Sequence, residues 1–353
     1  MNAPVNMKRA VSFADLSDAQ TCARIEGFVR EQGASLFHLP TWLKAVEAGT
    51  GHRATGLVAE QMGAITGWLP LTEVRSVLFG KTLVSSGFGV GGGILALSEE
   101  VAHILAECAS EHAEKNGFSS VELRGGAIPE GWRSWDDKHC GFVRELAEDD
   151  EAELLAIPRK ARAEVRKGLK NGLNVTVGRS AQDLAAHYAA YSESVRNLGT
   201  PVFPKGLFAS MLASFPESSD ILTISRDGKP MASVLSFYHN GAVMPFWGGG
   251  VFAARGARAN ELMYYELMLH ARRKGMTHFD FGRSKTGSGP YSFKKNWGFD
   301  PQPLTYAEWT APGAKARDID PTSETYARKI ALWKKLPLPL ANLAGPFIAR
   351  DLA

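Results

Sequence analysis

Two stretches of this chain carry the same elements in the same order, and that repeat limits its possible folds more than any other feature. In the first, Arg53–Glu60 and Ala64–Leu71 read as strands joined by a turn at Gln61–Gly63, and Ser76–Phe79 as a third strand. A glycine run, Gly87–Gly93, follows, then a helix from Glu99 to Asn116 stopped by Gly117, then a strand at Ser120–Arg124. In the second, Ile221–Arg226 and Met231–His239 flank an Asp227–Gly228 turn, Ala242–Trp247 is the third strand, and Gly248–Gly250 supply the glycines. A helix starting at Asn260 and stopped by Gly275 then leads into an alternating strand, His278–Phe281. Overlaying Glu111–Gly125 on Leu269–Arg283 pairs His112 with His270, Ala113 with Ala271, Gly117 with Gly275 and Glu122 with Asp280. Period-two alternation marks the strands; Leu262, Tyr265, Met268, Leu269 and Arg272 mark the helical face of the second copy. Repeated in 353 residues, this order predicts two tandem mixed α/β domains, 1–150 and 151–312, with a tail at 313–353.

The segments outside the repeat are helical. Asp18–Gly33, capped near Ser17, precedes the first copy and an aromatic-rich stretch, Ser35–Gly49. Between the copies, Ile157–Gly172 reads as a helix with Pro158 in its first turn and Gly172 at its end, before a short strand, Leu173–Val177. Arg159, Arg162, Arg166 and Lys170 line one face of that helix; Ile157, Ala161, Val165 and Leu169 form the apolar seam beside it. Only Glu164 opposes these cations, so the stripe is either a solvated face or a phosphate-binding one. Ala181–Arg196 and Lys205–Phe215 are further helices. Thr322–Lys335 is a cationic amphipathic helix with Tyr326, Ile330 and Trp333 on one side. The apolar segment after it is interrupted by Pro337, Pro339 and Pro346. It either packs on the body or lies in a membrane interface.

Composition removes several function classes. A formal charge of +3 is too small for a surface that grips nucleic acid everywhere, which excludes a general DNA binder. Cys22, Cys108 and Cys140 form no CxxC pair, and the nine histidines show no HExxH-type spacing, so neither a disulfide framework nor a metal is expected. The N-terminus lacks the apolar core of a signal peptide, and no apolar run of about 20 residues occurs; a cytoplasmic location is the default expectation. Gly87–Gly92 satisfies GxGxxG but does not open a helix, and no acidic residue follows at ribose-binding distance. Gly80–Thr82 ends like a P-loop, yet Arg75 stands where its first glycine belongs.

The richest chemistry lies in Asn260–Phe299. A D-F-G turn (Asp280–Gly282) is followed by G-x-Y-x-F-K (Gly289–Lys294) and W-G (Trp297–Gly298), and the basic helix ends K-x-x-x-N-G (Lys167–Gly172). In these motifs the chain, from Leu36 to Glu308, resembles FemAB-type acyl- and aminoacyltransferases, which are built from GNAT-like domains. The WKKLPLPL tail (Trp333–Leu340) is similar to that of the subgroup associated with exosortase, PEP-CTERM and exopolysaccharide loci. The long coiled-coil arm of some members is absent.

The resemblance implies two tandem GNAT-like domains and an N-acyltransferase. Its donor is aminoacyl-tRNA or acyl-coenzyme A, with no resident cofactor, and its acceptor an amine on a small or lipid-linked envelope or exopolysaccharide precursor. It also implies that Lys294 serves the transfer step by stabilising an oxyanion and that Phe293 lines the site. Asp280 takes the ammonium proton or orients Arg283. Arg283, Lys285, Tyr291, Arg159, Arg162, Arg166, Arg255 and Arg258 are the candidate substrate-binding residues, and contact of 322–353 with the inner membrane face is the further expectation. GNAT enzymes hold coenzyme A pyrophosphate on a Q/R-x-x-G-x-G/A turn. The equivalent here, Val251–Asn260, has Ala253 at the first position, which weighs against an ordinary acyl-coenzyme A enzyme. The rival from another class is a non-catalytic module that binds an anionic glycan or lipid precursor through the basic stripe.

Overall fold

The period-two pattern of the strands decides the layers. In a computed structural model that describes residues 10–77, 79–314 and 324–352, Leu57, Ala59, Leu69 and Leu71 face one side of a sheet, and Val58 and Trp68 the other. Among the described residues the chain forms two compact units, 10–136 with 304–314 and 351–352, and 137–303 with 324–350.

The first unit contains β1 (Ala10–Phe13), α1 (Ala19–Glu31), α2 (Pro40–Thr50), β2 (Arg53–Gln61), β3 (Ala64–Ser76) and β4 (Gly80–Val84). It continues with β5 (Leu95–Ala96), α3 (Glu99–Lys115), β6 (Ser120–Arg124) and β7 (Arg133–Trp135). Its sheet runs β1-β2-β3-β4-β6, then β17 (Tyr306–Thr310), then β7; β5 pairs with β3. Helix α3 covers one face through Val101, Leu105, Ala106 and Ala109; α1 and α2 cover the other through Ile25, Val29 and Leu43. Asp18, not Ser17, caps α1, accepting from the Gln20 and Thr21 N–H groups. The third strand is Gly80–Val84 and not Ser76–Phe79, because Ser76 closes the hairpin partner β3; Leu78 lies outside the described residues.

The second unit begins with β8 (His139–Gly141), β9 (Val143–Glu145), α4 (Asp150–Ala156), α5 (Arg159–Leu169) and β10 (Asn174–Gly178). Then come α6 (Ala181–Leu198), α7 (Lys205–Ser214), β11 (Ser219–Arg226), β12 (Lys229–His239) and β13 (Ala242–Gly250). After α8 (Ala254–Ala257) and α9 (Ala259–Arg273) follow β14 (His278–Asp280), β15 (Ser284–Lys285), α10 (Gly289–Asn296) and β16 (Gln302–Pro303). Helices α11 (Glu324–Lys335) and α12 (Leu338–Ala349) end it. The main sheet runs β10-β11-β12-β13-β14-β9, and β15-β8-β16 form a small one. Leu222, Ile224 and Val234 face α5 and α9, while Phe237 and Trp247 pack with Phe208 of α7 and the rings of α6 on the opposite face.

Both sheets repeat one strand order, antiparallel except at the parallel pairs β4–β6 and β13–β14. In each sheet the strand beyond the parallel pair comes from elsewhere in the chain. The chain pairs β9 with β14 before building the second unit, and returns afterwards to pair β17 with β6. Boundaries at 150 and 312 therefore miss the units, since a sequence divided by its repeat does not show that a strand after the second copy completes the sheet of the first. Seams changed as well. Leu169 is exposed, and Gly168 packs instead on α9, where a Cβ would lie 2.9 Å from the Arg258 carbonyl. The prolines of the tail do not interrupt a helix: Pro337 caps α12, Pro339 sits in its first turn, and Pro346 is carried inside it.

Candidate active site

Strand β14 ends at Asp280, whose Oδ1 accepts the Gly282 N–H at 2.8 Å, and Gly282 adopts φ +69, which glycine takes without strain. The next residues are pinned in the small sheet, Ser284 opposite Cys140 and Lys285 opposite His139. Ser288 then caps α10 with Pro290 in the first turn. The expected aromatic and cationic segment is thus a helix, and its periodicity sorts the lysines. Lys294 is the buried residue of α10; Lys295 is exposed, with its ammonium 5.7 Å from the Tyr291 ring.

Lys294 reaches back to the turn after β14. Its Nζ donates to the Gly282 carbonyl at 3.1 Å and to the Arg283 carbonyl at 3.0 Å, over the rings of Phe142 and Phe281. Burial lowers its pKa to about 8; Asp280 raises it and Arg283 lowers it. Two of the three ammonium donors therefore tie the turn together, a structural duty the family resemblance did not indicate. Burial raises the Asp280 carboxyl, opposed by the Gly282 N–H and by Lys294. Trp297 is buried in a ring cluster with Tyr264, Phe281 and Phe293, and so is core. Tyr291 meets Phe142 edge-on.

Half-buried Phe293 lines a cleft of about 370 Å³ between α5, α9 and α10, with Pro158, Lys160, Ala161, Glu164, Glu261, Lys295, Asn296 and Trp297. The other expected residues do not line it. Arg159 and Arg166 are exposed on α5, and Arg162 donates to the Leu155 carbonyl. Arg283 and Lys285 are half-buried. Arg255 lies over the Phe252 ring, and Arg258 forms an ion pair with Glu164 at 2.6 Å. Glu164 thus answers Arg258 and Lys167, neither of which belongs to the stripe of Arg159, Arg162, Arg166 and Lys170.

Sequence reading passed over Glu261. It stands in the first turn of α9, its Oε2 is buried with no hydrogen-bond partner among the described residues, and burial raises its pKa. Its place in the first turn of the helix was legible; the burial of its Oε2 was not.

Strands β13 and β14 pair only at Ala242–His278 and Val243–Phe279, while β13 stays paired to β12 as far as Gly250. The parallel pair parts after Val243, and β13 runs on to Gly250, where a Cβ would lie 2.5 Å from Asn260 Oδ1 at the start of α9. That start differs from a glycine loop: α8 supplies a helical turn, Arg258 takes φ +60, and Asn171 donates to the Ala257 carbonyl.

Residues 158–295, all within the second unit, match the family model described as the acetyltransferase (GNAT) domain. No curated protein matches the chain in sequence. Solved structures share its fold. FemX superposes with a TM-score of 0.63 at 14% identity over 82% of this chain and 96% of that one. A tandem GNAT protein from the clavulanic acid biosynthesis pathway gives 0.57 at 13% identity, over 88% and 100%. The C-terminal domain of a putative lysylphosphatidylglycerol synthetase from Agrobacterium fabrum gives 0.57 at 14%, over 83% and 93%. The mixed α/β architecture expected from the repeat, and its tandem GNAT-like form implied by the resemblance, are the observed ones.

Proposed function

We propose that this chain is a FemAB-like N-acyltransferase whose second unit moves an acyl or aminoacyl group from an activated ester or thioester to an amine of a cell-envelope or exopolysaccharide precursor. The observation that carries the reading is the parting of β13 from β14 after Val243 in the unit that holds the GNAT match; the same unit has a cleft between α5, α9 and α10 walled by aromatic rings and carboxylates. Backbone groups of β13 past Val243 offer an edge along which an extended donor can lie. The acceptor amine enters the cleft against Phe293, Trp297 and Glu261. Glu261, with its raised pKa, takes the proton of the incoming ammonium. The amine nitrogen bonds to the acyl carbon, the carbon–oxygen or carbon–sulfur bond breaks, and the leaving group receives a proton.

Lys294 serves this reaction by fixing the turn that follows β14, so it is a positioning residue in the proposal. Aminoacyl-tRNA is favoured as donor because the α9 start lacks the glycine turn suited to coenzyme A pyrophosphate and is packed by α5 at Gly168. Arg159, Arg166 and Lys170, exposed on α5, suit its phosphates. The exosortase-associated subgroup rests on Trp333–Leu340 alone, and the proposed location is the cytoplasm. Incubation with charged tRNA, and separately with acyl-coenzyme A, in the presence of amine acceptors tests the reading. Consumption of the tRNA ester, falling with salt and on Arg159→Glu with Arg166→Glu, is expected. Consumption of only the thioester moves the assignment to a coenzyme A enzyme, and consumption of neither points to a binding module.

A further inference from the structure

Helix α12 has two apolar faces, and only one is covered. Ala341, Gly345 and Ala349, spaced by four, are buried, and helix α6 is the principal helix beneath. A Cβ on Gly345 would come 3.0 Å from the Val202 backbone nitrogen, and Asn342 donates to the Ser192 hydroxyl at 3.2 Å. The small residues are what allow so close an approach. On the opposite face Leu340 is 53% exposed, Leu343 69% and Phe347 66%, at i, i+3 and i+7, with exposed Ala344 between them. A single exposed leucine is ordinary; a helical stripe of leucine and phenylalanine is not.

The adjoining helix matches it. Ile330 of α11 packs on Gly199 at the end of α6, while Leu332, 69% exposed, stands one turn from exposed Arg328 and beside exposed Lys335. From Thr325 to Arg350 the sequence contains five cations, Arg328, Lys329, Lys334, Lys335 and Arg350, and no acid. No described helix is long and apolar enough to cross a membrane.

We propose that the outer faces of α11 and α12 form an anionic-lipid docking surface, in which Leu332, Leu340, Leu343 and Phe347 enter the acyl boundary and Arg328 and Lys335 meet lipid phosphates. The charge pattern selects this occupant: a second copy of so cationic a segment would bring like charges together, whereas an anionic bilayer complements them. The inference deepens the proposed function, because it rests on that reading to make the surface one that carries a lipid-linked acceptor.

The test uses the full chain and vesicles of phosphatidylcholine alone or mixed with phosphatidylglycerol. Co-sedimentation with the mixed vesicles, weakening with salt, is expected. Leu343→Ser with Phe347→Ser should lower the partition coefficient at least about 100-fold, and Arg328→Glu with Lys335→Glu about 10-fold, with unchanged melting temperatures. Equal binding to neutral vesicles, no binding to either, or full binding by the Leu343/Phe347 variant overturns the proposal. So does a wild-type dimer in sedimentation velocity that the same variant makes monomeric. Turnover of a water-soluble amine acceptor by these variants should be unaffected, which separates failure of docking from failure of the transferase reading.

Discussion

The two units have the same strand order and opposite treatment of the place where their parallel strands part. In the second, β13 leaves β14 after Val243. In the first, β4 and β6 pair through Val84 and Glu122, and the chain then continues the seam. The Ser85 N–H donates to the Glu122 carbonyl, Gly93 to the Arg124 carbonyl, and Ile94 bridges Gly126. The Arg124 guanidinium, buried, donates to the Gly89 carbonyl and pairs with Glu122, and the Trp42 indole donates to the Gly87 carbonyl. Here the glycine run serves contact: a Cβ at Gly93 would stand 1.7 Å from the Gly125 carbonyl oxygen, and one at Gly87 2.8 Å from the Thr72 hydroxyl. What resembled a nucleotide loop is the plug of a closed copy. The scaffold occurs twice and the opening once, and the family model matches the open copy.

The plug gives the largest expected effect. Gly93→Ala must push backbone against backbone and should cost about 3 kcal/mol or more in a denaturant titration. Gly256→Ala, in the second unit, has nothing within 4 Å and should be neutral or slightly stabilising. Similar costs at the two sites would break the contrast.

Chemistry confined to the open copy is the next expectation. Glu261→Gln should lower turnover about 100-fold with little change in melting temperature. The acid limb of the pH–rate profile should lie above the ordinary carboxylate range in the wild type, as burial of Glu261 requires. Arg124→Met, which strips the Gly89 carbonyl of its partner, should cost about 2 kcal/mol while turnover per folded molecule stays intact. Loss of turnover there would mean that the closed copy shares in catalysis.

Lys294 sharpens the comparison from the side of stability. Lys294→Ala leaves two carbonyls without their donor and should destabilise by about 1–3 kcal/mol. Its folded pKa is lowered from 10.5 to about 8, so between those values the unfolded chain holds the extra proton. The wild type should therefore gain stability relative to Lys294→Met as pH rises from about 8 toward 10.5, and lose that gain as pH falls back through about 8. Lys295→Ala, exposed one position on, should change neither stability nor rate measurably. A Lys294 variant with wild-type melting but no turnover would restore the oxyanion role.

The repeat, most strands and the helices α3, α5, α6, α7 and α9 were legible in the sequence, because period two, period 3.6 and glycine stops are local properties that packing here did not override. Ile157, Ala161 and Val165 were likewise readable as a seam. The tertiary structure decided what depends on distant partners. It lent β17 to the first sheet and β9 to the second, turned Tyr291–Asn296 into a helix, and closed one copy while opening the other. It also drew Lys294 onto the Gly282 and Arg283 carbonyls and left Glu261 Oε2 buried with no hydrogen-bond partner among the described residues. A side chain's period fixes which way it faces along its own element; what it meets there is fixed by chain far away in sequence.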